Sequence, residues 1–192
     1  DDPRSGQVVA IKVLRPFFVE ESELLAHFFS ESQLTANLNH PHILQILETS
    51  EDGSPWIAME FAEKGSLAKQ AGKLPTVDEV GEILSQLSLA LDAAHAKGVI
   101  HGDIKPTNVF LTESGNYKLA DFGMAKLAGG AHPLVRSSAN TPLPTYMAPE
   151  QALDLSVNTL SDVFSLAILA YHMLTGRVPY QGSDPTTIWA KQ

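Results

Sequence analysis

His101-Gly102-Asp103-Ile104-Lys105-Pro106-Thr107-Asn108 is the stretch on which the reading of this chain turns; apolar Val109-Phe110-Leu111 follows it and, after a turn, Asp121-Phe122-Gly123. A base-capable carboxylate, an ammonium and an amide lie within these residues, Pro106 prevents an ordinary helix, and the flanking segments are apolar enough to be buried. The pattern is that of a loop presenting several polar groups to one point. Asp103 is placed to accept a proton and Lys105 to neutralise a transferring phosphoryl group, while Asn108 and Asp121 offer oxygen ligands to a divalent cation. Asp103 stands five residues before Asn108 and eighteen before Asp121, separations that suit one shared site. The chemistry this set fits is phosphoryl transfer.

Working outward toward the N-terminus, Gln7 to Leu14 is a β-branched run after the turn signal Ser5-Gly6 and predicts a strand. Lys12 alternates in facing with Ile11 and Val13, so its ammonium can point into a cleft. Read alone, a solvated strand lysine is the default, since exposed lysines are the rule. A helix is expected from about Glu20 to Leu38, where Leu24, Phe28, Glu31, Thr35 and Leu38 share a face. A carboxylate on that inward stripe must find a cation or become neutral, because burying an unpaired charge costs roughly several kcal/mol. Lys12 is the natural partner for Glu31. Ile43 to Thr49 and Trp56 to Phe61 flank the turn Glu51-Asp52-Gly53-Ser54-Pro55 and predict a hairpin.

Next, Thr76 to Glu79 is a capping box, and a helix with apolar Val80, Ile83, Leu84, Leu87 and Leu91 runs to the stop at Lys97-Gly98. His95, near its end, reads as a structural or surface histidine. Met124 to Met147 has little periodicity and is rich in Gly, Ser, Thr and Pro, with candidate modification sites at Ser137, Ser138, Thr141 and Thr145. Ser161-Asp162 is expected to open an apolar helix to Leu174, stopped at Thr175-Gly176, with Asp162 as a simple N-terminal helix carboxylate on the plainest reading.

Composition excludes several classes. The 192 residues are 44% hydrophobic and 18% charged, as a globular core requires. A net charge of −9 and pI near 5.1 leave no basic face for a general nucleic-acid binder. Without cysteine there is no disulfide framework, thiolate zinc site or cysteine nucleophile, which fits a reducing cytoplasm. The apolar run Val163 to Leu174 contains His172 and is too short to span a bilayer. Beginning at Asp1 and ending at Gln192, the chain is expected to be a piece of a longer protein.

Five landmarks, taken in order, carry a family resemblance: Val9-Ala10-Ile11-Lys12, Glu31, Asp103 to Asn108, Asp121-Phe122-Gly123 and Ala148-Pro149-Glu150, with Asp162 beyond them. The chain resembles the bacterial Ser/Thr protein kinases of the eukaryotic-like (Hanks) type over nearly its whole length. The resemblance implies an α+β, two-lobed protein-kinase-like fold truncated at both ends, with residues 1–61 a partial N-lobe and 62–192 a partial C-lobe. It implies ATP and Mg²⁺ as cofactors: Lys12, held by Glu31, on the α- and β-phosphates; Glu60 and Ala62 in a hinge whose backbone binds adenine; Met59 at the back of that pocket. Asp103 and Lys105 would be catalytic, and Asn108 with Asp121 would bind the metal. His101 would stack under Phe122, and Asp162 would accept backbone hydrogen bonds from the catalytic loop. Lys105-Pro106 implies a protein substrate with Ser/Thr acceptors, in the cytoplasm, with membrane tethering only through parts of the parent outside this sequence.

The sequence also departs from the family. Gly102 replaces the arginine of most regulated kinases, so the cation that would pair with a phosphorylated segment is missing. Leu143 stands where a threonine would bond Asp103 and Lys105, unless a small alignment shift lets Thr141 or Thr145 serve instead, and no glycine-rich phosphate loop precedes Lys12. Thr35 takes a position more often aliphatic. These departures keep two alternatives in view: a pseudokinase or interaction module with weak catalysis, and a small-molecule phosphotransferase of the aminoglycoside or choline kinase kind, which shares the His-Gly-Asp opening.

Overall fold

The computed structural model describes residues 6, 8–14, 25, 29, 32–33, 35–51, 54–70, 74–122, 144–152 and 157–192. Strand β1 (Val9–Val13) and strand β2 (Ile46–Ser50) both pair antiparallel with β3 (Trp56–Glu60), giving the order β1-β3-β2. Lys12 lies opposite Ile57 and Ala10 opposite Met59. Alternation turns Ile11 and Val13 outward, where both are more than half exposed, and leaves Lys12 on the covered face. Helical residues Leu25, Phe29, Ser32 and Thr35 follow a three-and-four spacing, and Phe29 packs on Ile57 with Leu25, Ile46 and Met59 around them.

The second part is mainly helical. Helix α1 (Val77–His95) starts at Thr76, whose hydroxyl accepts from the Glu79 N–H while the Glu79 carboxylate accepts from the Thr76 N–H. Its inward residues Val80, Ile83, Leu87, Ala90, Leu91 and Ala94 join Leu169 and Met173 of a second long helix in the main core. Between these helices in sequence, β4 (Val109–Leu111) and β5 (Tyr117–Leu119) form a two-stranded sheet that closes the loop after residue 108. The short helix α2 (Pro149–Ala152) precedes the long α3 (Thr159–Thr175), and α4 (Pro185–Trp189) is capped by Asp184. Among the described residues no helix is long and apolar enough to cross a membrane.

Two element starts lie three residues from where the sequence reading puts them, while other ends shift by one or two. Helix α3 begins three residues before Asp162, because Asn158 is its N-cap: the Asn158 side chain accepts from the Leu160 N–H, and Ser161 at the third helical position returns a bond to the Asn158 N–H. Ser161 is therefore the far half of a capping box rather than the cap. The strand expected from Ile43 begins at Ile46, because Ile43 bridges Leu119 instead, and the Leu44 N–H donates to the Leu119 carbonyl at 2.8 Å. That detour ties the small sheet to the helical part beside Asp121.

Candidate active site

The loop from His101 to Asn108 is held from beneath by a buried carboxylate. Asp162, fully buried in α3, accepts from the His101 N–H at 2.9 Å and, through its other oxygen, from the Gly102 N–H at 2.7 Å. His95, at the end of α1, donates from Nε2 to Asp162 at 2.7 Å. A buried carboxylate is tolerable when several donors replace its water, and here three do. Gly102 takes φ +75°, a left-handed conformation in which a side chain would be strained.

His101 is also fully buried. Its Nδ1 accepts the Asp103 N–H at 3.1 Å, so Nε2 carries the proton and donates to the Ala120 carbonyl at 3.0 Å. Burial lowers its pKa, against the opposing pull of Asp162, Asp103 and Asp121. The neutral ring packs on Phe122 at a centroid distance of 4.5 Å. His101 is thus a spacer between the Asp103 backbone and the strand leading to Asp121.

Above this base the polar side chains converge. The Asp103 carboxylate meets Lys105 Nζ at 2.5 Å and Asn108 Nδ2 at 3.0 Å; the same Nδ2 donates to the Asp103 carbonyl at 2.9 Å. Using both Nδ2 protons this way turns Asn108 Oδ1 away from Asp103, with a 3.4 Å contact to the Thr107 hydroxyl as its one partner among the described residues. The Ala120 N–H donates to the Asn108 carbonyl at 2.9 Å, which brings Asp121 up beside Asn108. Asp121 sits at φ +63°, a left-handed region that aspartate adopts more readily than most residues. Its Oδ1 takes Lys12 Nζ at 2.9 Å across a sequence separation of 109 residues.

The structure therefore gathers Asp103, Lys105 and Asn108 in one cluster and Lys12 with Asp121 in an adjoining pair. Glu31 lies outside the described residues, as do Gly123, Leu143 and three of the four candidate modification sites, Ser137, Ser138 and Thr141. Met59 lines a narrow cavity of about 10 Å³ between Lys12 and Asp121 with Ser32, Thr35 and Leu44. The Glu60 carboxylate pairs with Lys118 at 2.8 Å, and the Glu60 N–H donates to the Gln45 carbonyl at 2.9 Å. Ala62 is 6% exposed, and its N–H donates to no group among the described residues.

The donor set fits the groups the resemblance implies. An amide oxygen and a carboxylate are a sparse all-oxygen pair of the kind Mg²⁺ accepts while keeping phosphate and water in its other positions. No cluster of three acidic, histidine or cysteine ligands occurs among the described residues. The Lys12 ammonium on Asp121 shows that a cation is accommodated there, and the Ala62 N–H is a buried donor for a heteroaromatic acceptor.

His95, read as a structural or surface histidine, is structural, and its partner Asp162 was not foreseen. Two further side chains in the site escaped the sequence reading. Lys118, which anchors Glu60, looks like a solvent-facing strand lysine. Gln151 donates from Nε2 to the Gly102 carbonyl at 2.8 Å and accepts the Ala148 N–H at 3.0 Å, and nothing in its sequence context points to either bond.

The molecule is thus a two-part α+β fold that carries carboxylate, ammonium and amide groups on a pinned loop. The protein kinase domain family matches residues 2–192, and the chain belongs to it. It is 37% identical over 180 residues to serine/threonine-protein kinase Pkn1 of Myxococcus xanthus, covering 91% of this chain and 26% of that protein. It is 35% identical over 197 residues to PknA of Corynebacterium glutamicum, covering 98% and 42%. PknA of Mycobacterium tuberculosis is 34% identical over 199 residues, covering 99% and 46%. The chain spans less than half the length of these relatives.

Proposed function

We propose that this chain forms the reaction cleft of a serine/threonine protein kinase that transfers the γ-phosphoryl group of ATP to a protein hydroxyl. The observation that carries this is the Asp103 carboxylate held between Lys105 and Asn108, on a loop whose neighbour Asp121 pairs with Lys12 from the sheet. Asp103 orients the acceptor hydroxyl and takes its proton as the new O–P bond forms and the bond to the departing ADP oxygen breaks. Lys105 neutralises the transferring group and Lys12 the α- and β-phosphates, with Glu31 as its second partner. Asn108 and Asp121 would hold Mg²⁺, which would supply positive charge to offset the negative charge of the phosphates. The Ala62 N–H and the Glu60 backbone receive adenine, with Met59 at the rear.

Residues 1–61 belong to the small lobe and 62–192 to the large one on this reading. The substrate is a protein with Ser or Thr acceptors rather than a small alcohol, as the names of the relatives support. The reaction needs ATP, which puts the domain in the cytoplasm, and any membrane tether belongs to other parts of the parent. Nucleic acid is not a partner of so acidic a chain.

The test is ³²P transfer from Mg·ATP to a basic protein by this chain, by a version extended at both ends from the parent gene, and by that version with Asp103→Ala. Transfer by the extended protein that disappears in the variant is expected. Absence of transfer by the folded extended protein would overturn the reading.

A further inference from the structure

We propose that Gln151 is a positioning residue that fixes the peptide plane leading into Asp103 and couples it to the chain segment closing at Ala148-Pro149-Glu150; its catalytic consequence rests on the phosphoryl-transfer reading of Asp103. The Gly102–Asp103 peptide has two polar ends. Its N–H donates to His101 Nδ1 at 3.1 Å, and its carbonyl accepts from Gln151 Nε2 at 2.8 Å. The preceding N–H, of Gly102, is held by Asp162 at 2.7 Å. Glycine has the softest backbone of any residue, so rotation about Gly102 would swing the Asp103 side chain away from Lys105 and Asn108. Asp162 fixes one side of that hinge, and Gln151 is the side-chain donor on the other.

The Gln151 amide is itself oriented. Its Oε1 accepts the Ala148 N–H at 3.0 Å, which leaves Nε2 aimed at the loop. One side chain therefore joins the end of the substrate-side segment to the residue before the catalytic carboxylate. Gly102 offers no cation for a phosphorylated segment to pair with, and the coupling runs instead through a neutral amide and a carbonyl, with no phosphate needed.

The experiment compares the extended protein with Gln151→Glu and Gln151→Ala variants. Glutamate is isosteric and still accepts from Ala148, but as a carboxylate it cannot donate to the Gly102 carbonyl; as a carboxylic acid it can. The expected result at pH 7.5 is a fall of about tenfold in kcat for both variants, one hydrogen bond's worth, with KM for ATP unchanged within about twofold. The Gln151→Glu deficit, measured as a ratio to wild type, shrinks as pH falls and the glutamate protonates, while the Gln151→Ala deficit does not. A purely structural role would not give a recovery confined to the glutamate variant. Wild-type kcat in Gln151→Glu, or a deficit equal at every pH, would overturn the proposal.

Residue-resolved amide exchange reads the clamp without catalysis. The Asp103 N–H should exchange about tenfold faster in both variants, with Leu87 and Leu91 in α1 unchanged. Unchanged Asp103 exchange overturns the proposal whatever the activity. Lack of wild-type transfer counts against the kinase reading alone and leaves exchange to decide the clamp.

Discussion

Replacing Asp162 with asparagine separates a loop-anchoring carboxylate from a mere charge at a helix N-terminus. The side chain is fully buried and satisfies three donors: the His95 ring at 2.7 Å and the His101 and Gly102 N–H groups at 2.9 and 2.7 Å. Asparagine has one acceptor oxygen, which is best spent on the side holding His95 and His101. Its NH₂ then faces the Gly102 N–H, donor against donor. Losing that charge-assisted bond costs about 1.5–3 kcal/mol, and reducing the other two to neutral bonds costs roughly 1 kcal/mol each. The expected loss is therefore about 3–5 kcal/mol. A helix-terminus charge alone is worth only about 0.3–1 kcal/mol at the surface and about 2 at most. Urea unfolding followed by tryptophan fluorescence and circular dichroism measures the difference, with an unchanged m-value required for the comparison. A loss below about 2 kcal/mol would refute the reasoning and return Asp162 to the helix-terminus role.

Asp103→Asn is expected to lower kcat by a factor of about 100 or more while leaving ATP affinity near wild type, since it removes a proton acceptor but keeps the shape; equal kcat by ³²P transfer would contradict the assignment. Asp121→Asn should weaken ATP binding in the presence of Mg²⁺ far more than in its absence, a contrast that titration calorimetry with and without the metal resolves. His101 is buried with a lowered pKa, so below pH 6.5 the unfolded chain takes up a proton that the folded chain refuses. Stability should be full above that pH and fall as pH drops, by up to about 1.4 kcal/mol per unit, with a shallower slope in His101→Phe; thermal unfolding from pH 7.5 to 5 tests the sign. Tyr146 is half-buried with its phenol raised to about 12 by burial, and its hydroxyl bonds His172 at 2.5 Å. Tyr146 and Tyr117, the latter raised by burial and by the nearby Glu79 and Glu82 carboxylates, should both titrate late in an alkaline absorbance series, and Tyr146→Phe should leave one late step fewer.

Much of the candidate site was legible because its chemistry is local. Asp103, Lys105 and Asn108 lie within six residues, a span over which a loop interrupted by Pro106 must bring their side chains near one another. The Thr76–Glu79 cap was equally readable, since both of its hydrogen bonds form within one helical turn. The start of α3 was misplaced for a reason of the same kind: Ser161 is a good cap by type, but Asn158 stands three residues earlier and accepts first. Both sequences are compatible with the apolar period that follows, which marks a helix face and not its first residue.

What the sequence by itself determined was the set of candidate polar groups, their order, and the alternation that puts Lys12 on the inward face of a strand. What only the tertiary structure decided was who holds whom across long separations: Lys12 on Asp121 over 109 residues, His95 on Asp162 over 67, Gln151 on Gly102 over 49. Periodicity says which face of an element is buried, but a side-chain hydrogen bond demands partners within about 3 Å, and that depends on the packing offset between elements. A slide of one helical turn, about 5 Å, preserves every apolar stripe and breaks all three contacts.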